Sequence, residues 1–108
     1  MDYDLLLEGC CEVGRRLLEH GAEIQRAEDT ARRILAAYGL EGDVFAIPNC
    51  VWVCASCPDG RTRTVMRRVP ASSVDIEGIE RYNDLSRRLC AAPPEDPGEI
   101  LRQCRQTR

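Results

Sequence analysis

The spacing of hydrophobic residues changes near Gly42, and this change limits the folds that the chain can adopt. Before Gly42, apolar residues recur with the period of a helix that has one buried face. After it come three short runs that are rich in β-branched residues and bounded by turn sequences: Asp43 to Ile47, Cys50 to Ser56 and Arg61 to Val69. Helices therefore precede a small sheet, and we predict an α+β fold.

Two helices are predicted before this sheet along the chain and two after it. The first two run from about Asp4 to His20 and from about Ala22 to Tyr38, with Gly21 in the left-handed position that often follows a helix. A long helix from about Asp75 to Cys90 follows the sheet, and a short helix from Pro97 through Cys104 comes last.

Residues 1–108 are predicted to form one soluble domain, because a chain of this length supports one hydrophobic core. An N-terminal αα-hairpin leads into a three-stranded antiparallel meander, then into one long and one short C-terminal helix. The third strand has no fully apolar face, so we expect it at an edge.

In the first helix, Glu12 and Arg16 are spaced to form an ion pair. The charged residues of that helix are expected on its solvent side: Glu8, Glu12, Arg15, Arg16 and Glu19.

The charge distribution argues against nucleic acid as a partner. The net charge is −3, and fifteen arginines are interleaved with eighteen acidic residues instead of forming one basic face.

The longest uncharged run, Val44 to Pro58, has fifteen residues, whereas a helix that spans a bilayer needs about twenty. Seven cysteines, an odd number, and an acidic N-terminus without a secretory signal point to free thiols in the cytosol.

Cys54 and Cys57 are candidates for a metal-binding module, with Cys50 as a further candidate ligand. Their C-x-x-C spacing occurs in zinc ribbons and in redox dithiols, but a structural zinc needs four ligands and no second pair of this kind follows. Ordinary buried or turn cysteines can have the same spacing. The common nucleotide-binding, metalloprotease and serine-hydrolase motifs are missing, so we expect no catalytic residues, metal or cofactor.

A polar stripe is predicted on the second helix. Glu23, Arg26, Thr30 and Arg33 are spaced three or four residues apart and share one helical face. An acid, a guanidinium and a hydroxyl in this arrangement can bind a carboxylate or an amino acid. The same spacing is equally typical of a solvated helix face or of an internal ion pair.

Asn83 and Ser86 lie near the apolar side of the third helix, where polar groups need partners. We expect them either to bond a neighbouring element or to line a pocket. An enzyme is a further alternative, because Glu23, Arg26 and Glu28 can supply an acid, a base and an anion clamp for a hydrolase-like reaction. That alternative requires the three side chains to converge in a concave pocket.

Four segments together resemble the threonine/serine exporter family: residues 14–23, 26–30, 68–70 and 82–87. The resemblance covers nearly the whole chain and is most specific at Gly21-Ala22-Glu23 and at Arg26-x-Glu28-x-Thr30. It identifies the chain as similar to the N-terminal soluble domain of that family. In such proteins, the resemblance implies, a hydrophilic domain precedes transmembrane helices that export small amino acids such as threonine and serine.

The same resemblance implies a regulatory, gating or assembly role at the cytoplasmic face of the cell membrane. The expected partner is the transmembrane region of the same or a companion exporter chain, which these 108 residues do not contain. A small amino acid and a second copy of the chain are further candidate partners. The family pattern singles out these functional residues: Gly21, Glu23, Arg26, Glu28, Thr30, Asn83 and Ser86.

Overall fold

Helices cover one face of a three-stranded sheet in the computed structural model, which describes residues 1–107. The elements in chain order are α1 (Tyr3–Glu19), α2 (Ile24–Ala37), β1 (Gly42–Ile47), β2 (Cys50–Ser56), β3 (Thr62–Arg68), α3 (Ile76–Ala91) and α4 (Gly98–Gln106). The predicted α+β class and element order are confirmed. Among the described residues, no helix combines the length and the apolar character needed to cross a membrane.

The sheet is an antiparallel meander with the strand order β1-β2-β3. Val44 on β1 lies opposite Val53 on β2, which in turn lies opposite Val65 on β3. These residues belong to the inner face of the sheet, which packs against α1 and α2. The third strand lies at an edge, as predicted.

Helix α1 is the centre of the fold, because it packs against α2, α3, α4, β2 and β3. Two glycines of α1 face neighbouring elements, but only Gly9 is needed for a close approach. A Cβ atom added at Gly9 would lie 2.8 Å from the Cβ of Ile100 on α4, which is closer than carbon atoms can pack. At Gly14 the nearest atom would be Cγ1 of Val51 on β2, at an ordinary contact distance of 3.5 Å.

Glu12 is buried, with 6% of its surface exposed. The sequence had instead predicted that it lies on the solvent side of α1. Its carboxylate accepts hydrogen bonds from Arg15 at 2.8 Å and from Arg16 at 2.7 Å, so the predicted pair with Arg16 is confirmed. A third guanidinium, from Arg67 on β3, lies 3.4 Å away. The prediction for Glu12 was wrong because the sheet brings Arg67 over this part of α1.

Arg16 extends this network from Glu12 to the last helix. Its Nη1 donates to the hydroxyl oxygen of Tyr82 on α3 at 3.0 Å. The Tyr82 hydroxyl lies 2.9 Å from the carbonyl oxygen of Thr107, to which it can donate, and 3.2 Å from that of Cys104. The end of α4 is thereby connected through α3 to the middle of α1.

The arginines determine the ionisation of Glu12. Burial alone would raise the pKa of this carboxyl group, because it disfavours the charged form. Hydrogen bonds from Arg15 and Arg16, together with their charges, outweigh burial and lower the pKa from 4.5 to about 2. A shift of this size corresponds to roughly 3 kcal/mol in favour of the folded state at neutral pH.

We predict that the same substitution at two positions of α1 has different effects on stability. Gly9→Ala should reduce the free energy of unfolding by about 1–2 kcal/mol, because the gain in helix propensity is smaller than the cost of overpacking against Ile100. Gly14→Ala should leave stability unchanged or raise it by up to about 1 kcal/mol. Urea denaturation of both variants measures the difference, and a change of the same sign and size in both would contradict this account of the packing.

We also predict a specific pH dependence for Glu12. Since its pKa is lower in the folded state, its stabilisation is complete above the unfolded-state value of 4.5 and disappears as the pH falls through about 2. Glu12→Gln should therefore destabilise the chain by about 3 kcal/mol at pH 7, and the difference from the parent should shrink towards pH 2.

Glu77→Gln is the control for this pH series, because the Glu77 side chain is 89% exposed. Urea denaturation at several pH values should give this variant the same pH dependence as the parent. A constant difference between Glu12→Gln and the parent at all pH values would show that the carboxylate charge of Glu12 does not stabilise the fold.

Candidate functional site: a polar groove between α2 and α3

An open groove separates the first half of α2 from the middle of α3. Its main hollow has a volume of about 380 Å³, and an adjoining hollow of about 290 Å³ shares Glu23, Arg26 and Asn83 with it. The main hollow is lined by three arginines (Arg26, Arg33, Arg87), two acids (Glu23, Asp29) and four neutral polar residues (Gln25, Thr30, Asn83, Ser86). The predicted polar stripe on α2 therefore forms one wall of the groove, and α3 forms the other.

Gly21 shapes the end of the groove next to the start of α2. It has a φ of +92°, which glycine adopts without a steric penalty, as predicted for the residue that follows α1. Its N–H donates to the carbonyl oxygen of Leu18 at 3.0 Å. A Cβ here would lie 3.0 Å from the carbonyl oxygen of Ser73, so the turn and the segment before α3 can come this close only with glycine.

Two of the arginines on α2 have no ion-pair partner in the described part of the chain. Within residues 1–107, neither Arg26 nor Arg33 forms an ion pair, although both line the main hollow and are exposed. Asp29, in contrast, is paired with Arg32 at 2.7 Å. The groove therefore presents two guanidinium groups that form no ion pair with any residue from 1 to 107.

The Glu23 carboxylate is also uncommitted. Glu23 occupies the N-cap position of α2, but its side chain makes no capping hydrogen bond. The first N–H groups of a helix have no partners within the helix and carry a partial positive charge. One end of the groove thus combines a free carboxylate with a helix terminus that attracts anions.

The hydroxyl groups in the groove differ in what they can still bind. Thr30 is buried, with 4% of its surface exposed, and lines the main hollow. Ser86 donates to the carbonyl oxygen of Asn83 on its own helix at 2.7 Å, so its oxygen is left as an acceptor. Asn83 and Ser86 line a pocket, which is one of the two arrangements expected from the sequence.

Glu28 lies outside the groove. Its Oε2 accepts a hydrogen bond from the backbone N–H of Ala46 at 2.8 Å, which connects α2 to β1. Because β1 pairs only with β2, this N–H belongs to the outer edge of the sheet. Glu23, Arg26 and Glu28 therefore do not converge in one pocket, which the hydrolase-like mechanism requires.

The groove contains most of the predicted site and some residues that were not predicted. Glu23, Arg26, Thr30, Asn83 and Ser86 line the main hollow, and Gly21 lines the adjoining one. The additional lining residues are Gln25, Asp29 and Arg87. Arg87 follows Asn83 by four residues, so the helical spacing of α3 could have identified it.

The cysteines give no sign of a reactive or metal-binding site. No cluster of three or more potential ligands that could hold a metal occurs in residues 1–107. Cys54 is half-buried, whereas Cys57 is buried, with its Sγ 3.8 Å from the carbonyl oxygen of Ala55. Burial raises the pKa of Cys11 and Cys104 to about 12, so both are neutral thiols and poor nucleophiles at physiological pH.

The chain matches the family model ThrE, described as "Putative threonine/serine exporter", over residues 8–106. Since the match covers nearly the whole chain, the chain belongs to this family. The resemblance seen in the sequence segments is thereby confirmed. Comparisons with curated proteins and with solved structures find no match.

We predict that Glu28 and Arg26 differ in their effect on stability. Glu28→Ala should cost about 1–3 kcal/mol, because it removes the acceptor for the N–H of the buried residue Ala46. Arg26→Ala should change stability by less than about 0.5 kcal/mol, because its guanidinium group has no ion-pair partner to lose. Urea denaturation tests both, with Glu28→Gln, which keeps an acceptor oxygen, as the control. Equal losses for Glu28→Ala and Arg26→Ala would contradict the assignment.

Proposed function

We propose that this chain is a regulatory domain of a threonine/serine exporter-like protein and that it binds a small amino acid in the groove between α2 and α3. Membership of the exporter family supports the transport context. In this proposal the domain lies at the cytoplasmic face of the membrane and acts on the transmembrane region of the same or a companion chain. Binding in the groove reports the cytoplasmic level of the exported solute.

The observation that carries the proposal is the presence of uncommitted charges of both signs in one hollow. A free amino acid has a carboxylate and an ammonium group close together. Arg26 and Arg33 can donate charge-assisted hydrogen bonds to the carboxylate, and Glu23 can accept from the ammonium group. Neither interaction requires an existing ion pair in the protein to break.

The remaining walls suit a short side chain with a hydroxyl group. Thr30 supplies a nearly buried hydroxyl that can bond the hydroxyl of serine or threonine. Ile76 and Ile79 line the adjoining hollow and offer apolar contact to a methyl group. The groove can therefore accept threonine and serine and has little apolar surface for a large hydrophobic side chain.

The size and openness of the groove indicate weak binding. A volume of about 380 Å³ equals that of about a dozen water molecules, so a small amino acid would share the hollow with solvent. Ion pairs that remain in contact with water contribute little free energy. We therefore expect a dissociation constant between roughly 0.1 and 5 mM, which suits a sensor that responds only when an amino acid accumulates.

Isothermal titration calorimetry with threonine and serine tests the proposal. We predict saturable binding that Arg26→Ala weakens about three- to fivefold, because the variant loses a charge-assisted hydrogen bond to the carboxylate that remains in contact with water. Arg88→Ala is the matched control. It removes the same charge from α3, but Arg88 does not line the groove and is paired with Asp84 at 3.1 Å.

Two ligand analogues assign the charges separately. Threoninamide lacks the carboxylate and should bind the parent weakly, with little further loss in Arg26→Ala. Propionate lacks the ammonium group, so Glu23→Gln should weaken threonine binding and leave propionate binding nearly unchanged. Absence of binding with up to about 50 mM threonine or serine, well above the expected range, would overturn the ligand-sensing proposal.

A further inference from the structure

The outer face of the sheet carries an apolar row that no helix of the described residues covers. Phe45 on β1, Trp52 on β2 and Met66 on β3 lie side by side in the sheet register. Phe45 is 59% exposed and Met66 is 50% exposed, and the rings of Phe45 and Trp52 are 5.6 Å apart between centroids. Such a row of large apolar side chains on a surface marks a site of association.

The residues around this row form a regular grid of three strands by three positions. At the end where β1 begins, the register places Asp43, Cys54 and Thr64 side by side. At the opposite end it places Ile47, Cys50 and Arg68 side by side. Trp52 is the centre of the grid, and Asp43 and Arg68 occupy diagonally opposite corners.

The two charged corners have no ion-pair partner among the residues that the structure describes. Asp43 and Arg68 are both exposed, and neither forms an ion pair with any residue from 1 to 107. An apolar centre with one acidic and one basic corner is complementary to a rotated copy of itself. The charge pattern therefore indicates a second copy of this chain as the occupant.

Symmetry selects one arrangement of two such faces. A face-to-face dimer has a twofold axis in the plane between the sheets. If one residue of the first copy contacts a second residue of the other copy, the symmetry repeats that contact with the two copies exchanged. An axis along the diagonal through Ile47 and Thr64 places Asp43 of each copy over Arg68 of the other. An axis along the other diagonal places like charges over each other. Axes parallel or perpendicular to the strands leave both charged corners over uncharged residues.

We propose that two copies of the chain pack through the outer faces of their sheets, with the strands of the two copies nearly perpendicular. Orthogonal packing of this kind is one of the two common arrangements of stacked sheets. Trp52 of one copy then lies against Trp52 of the other, on the axis. Packed sheets are about 10 Å apart, a distance that an arginine and an aspartate side chain span together. Two Asp43–Arg68 ion pairs flank the apolar centre.

The size of the face determines how tightly the copies associate. Three strands about 4.8 Å apart and seven residues long cover roughly 300 Å², which is less than half of what each partner contributes to a typical stable interface. The dimer is therefore expected to be weak, with a dissociation constant of roughly 10 µM to 1 mM. This association uses none of the groove residues, so it holds or fails independently of amino-acid binding.

Sedimentation equilibrium up to about 1 mM protein tests the proposal. The parent chain should show an average mass that rises from 12.1 kDa towards twice that value as the concentration increases. Asp43→Arg and Arg68→Asp should each raise the dissociation constant at least tenfold, because each variant places like charges together at both corners. The double variant Asp43→Arg/Arg68→Asp should return to within about threefold of the parent.

Mixing the two single variants is the most specific measurement. Asp43→Arg and Arg68→Asp present only opposite charges to each other, so the mixture should associate at least tenfold more tightly than either variant alone. Glu77→Arg, an equal charge change on the exposed side of α3, is the control and should dimerise like the parent. Circular dichroism and thermal unfolding confirm that each variant is folded.

Three results would overturn the proposal. A parent chain that stays monomeric at about 1 mM has no dimer of the expected strength. A dimer that Trp52→Glu leaves intact does not use this face. The single charge reversals could weaken dimerisation without the double variant or the mixture restoring it. In that case the copies use this face in a different orientation.

Discussion

The buried carboxylate of Glu12 is the interaction on which the tertiary structure most depends. Arg15 and Arg16 bind it from the same helix, and Arg67 approaches it from β3. Arg16 also bonds Tyr82, which reaches the end of α4. A buried charge without partners would cost several kcal/mol, so the elements that carry these arginines must be in place for the core to close. The network therefore determines how α1, β3, α3 and α4 fit together.

The charged groups of α1 and α2 serve different purposes. On α1, the acids and arginines around Glu12 are paired within the protein and stabilise it. Within residues 1–107, three side chains on the groove side of α2 line a hollow and form no ion pair: Arg26, Arg33 and Glu23. An evolved fold gains little stability from such groups, whereas a ligand with charges of both signs can use them. This difference separates the structural charges from those proposed to bind an amino acid.

The sequence was sufficient for the elements and for one wall of the site, but not for contacts between distant segments. Helices and strands followed from hydrophobic period and from turn residues such as Gly21, which are local signals. The spacing of Glu23, Arg26 and Thr30 also placed one face of α2 correctly. The prediction for Glu12 was wrong, and the contact of Glu28 was not predicted, because their partners come from segments far along the chain: a guanidinium on β3 and a backbone N–H on β1. Side-chain spacing within one helix contains no information about such partners.

Both edges of the sheet are protected against filament growth. The N–H of Ala46 on the outer edge of β1 is already bonded to Glu28, so a strand from another molecule cannot use it. The β3 edge lies in a segment with four arginines. Arg63 and Arg67 are paired with acidic residues. Arg61 and Arg68 form no ion pair within residues 1–107, so two such edges would bring like charges together. Open-ended pairing of edge strands from different molecules is therefore disfavoured. Association through the bare face, as proposed above, closes at two copies and does not extend strand by strand into a filament.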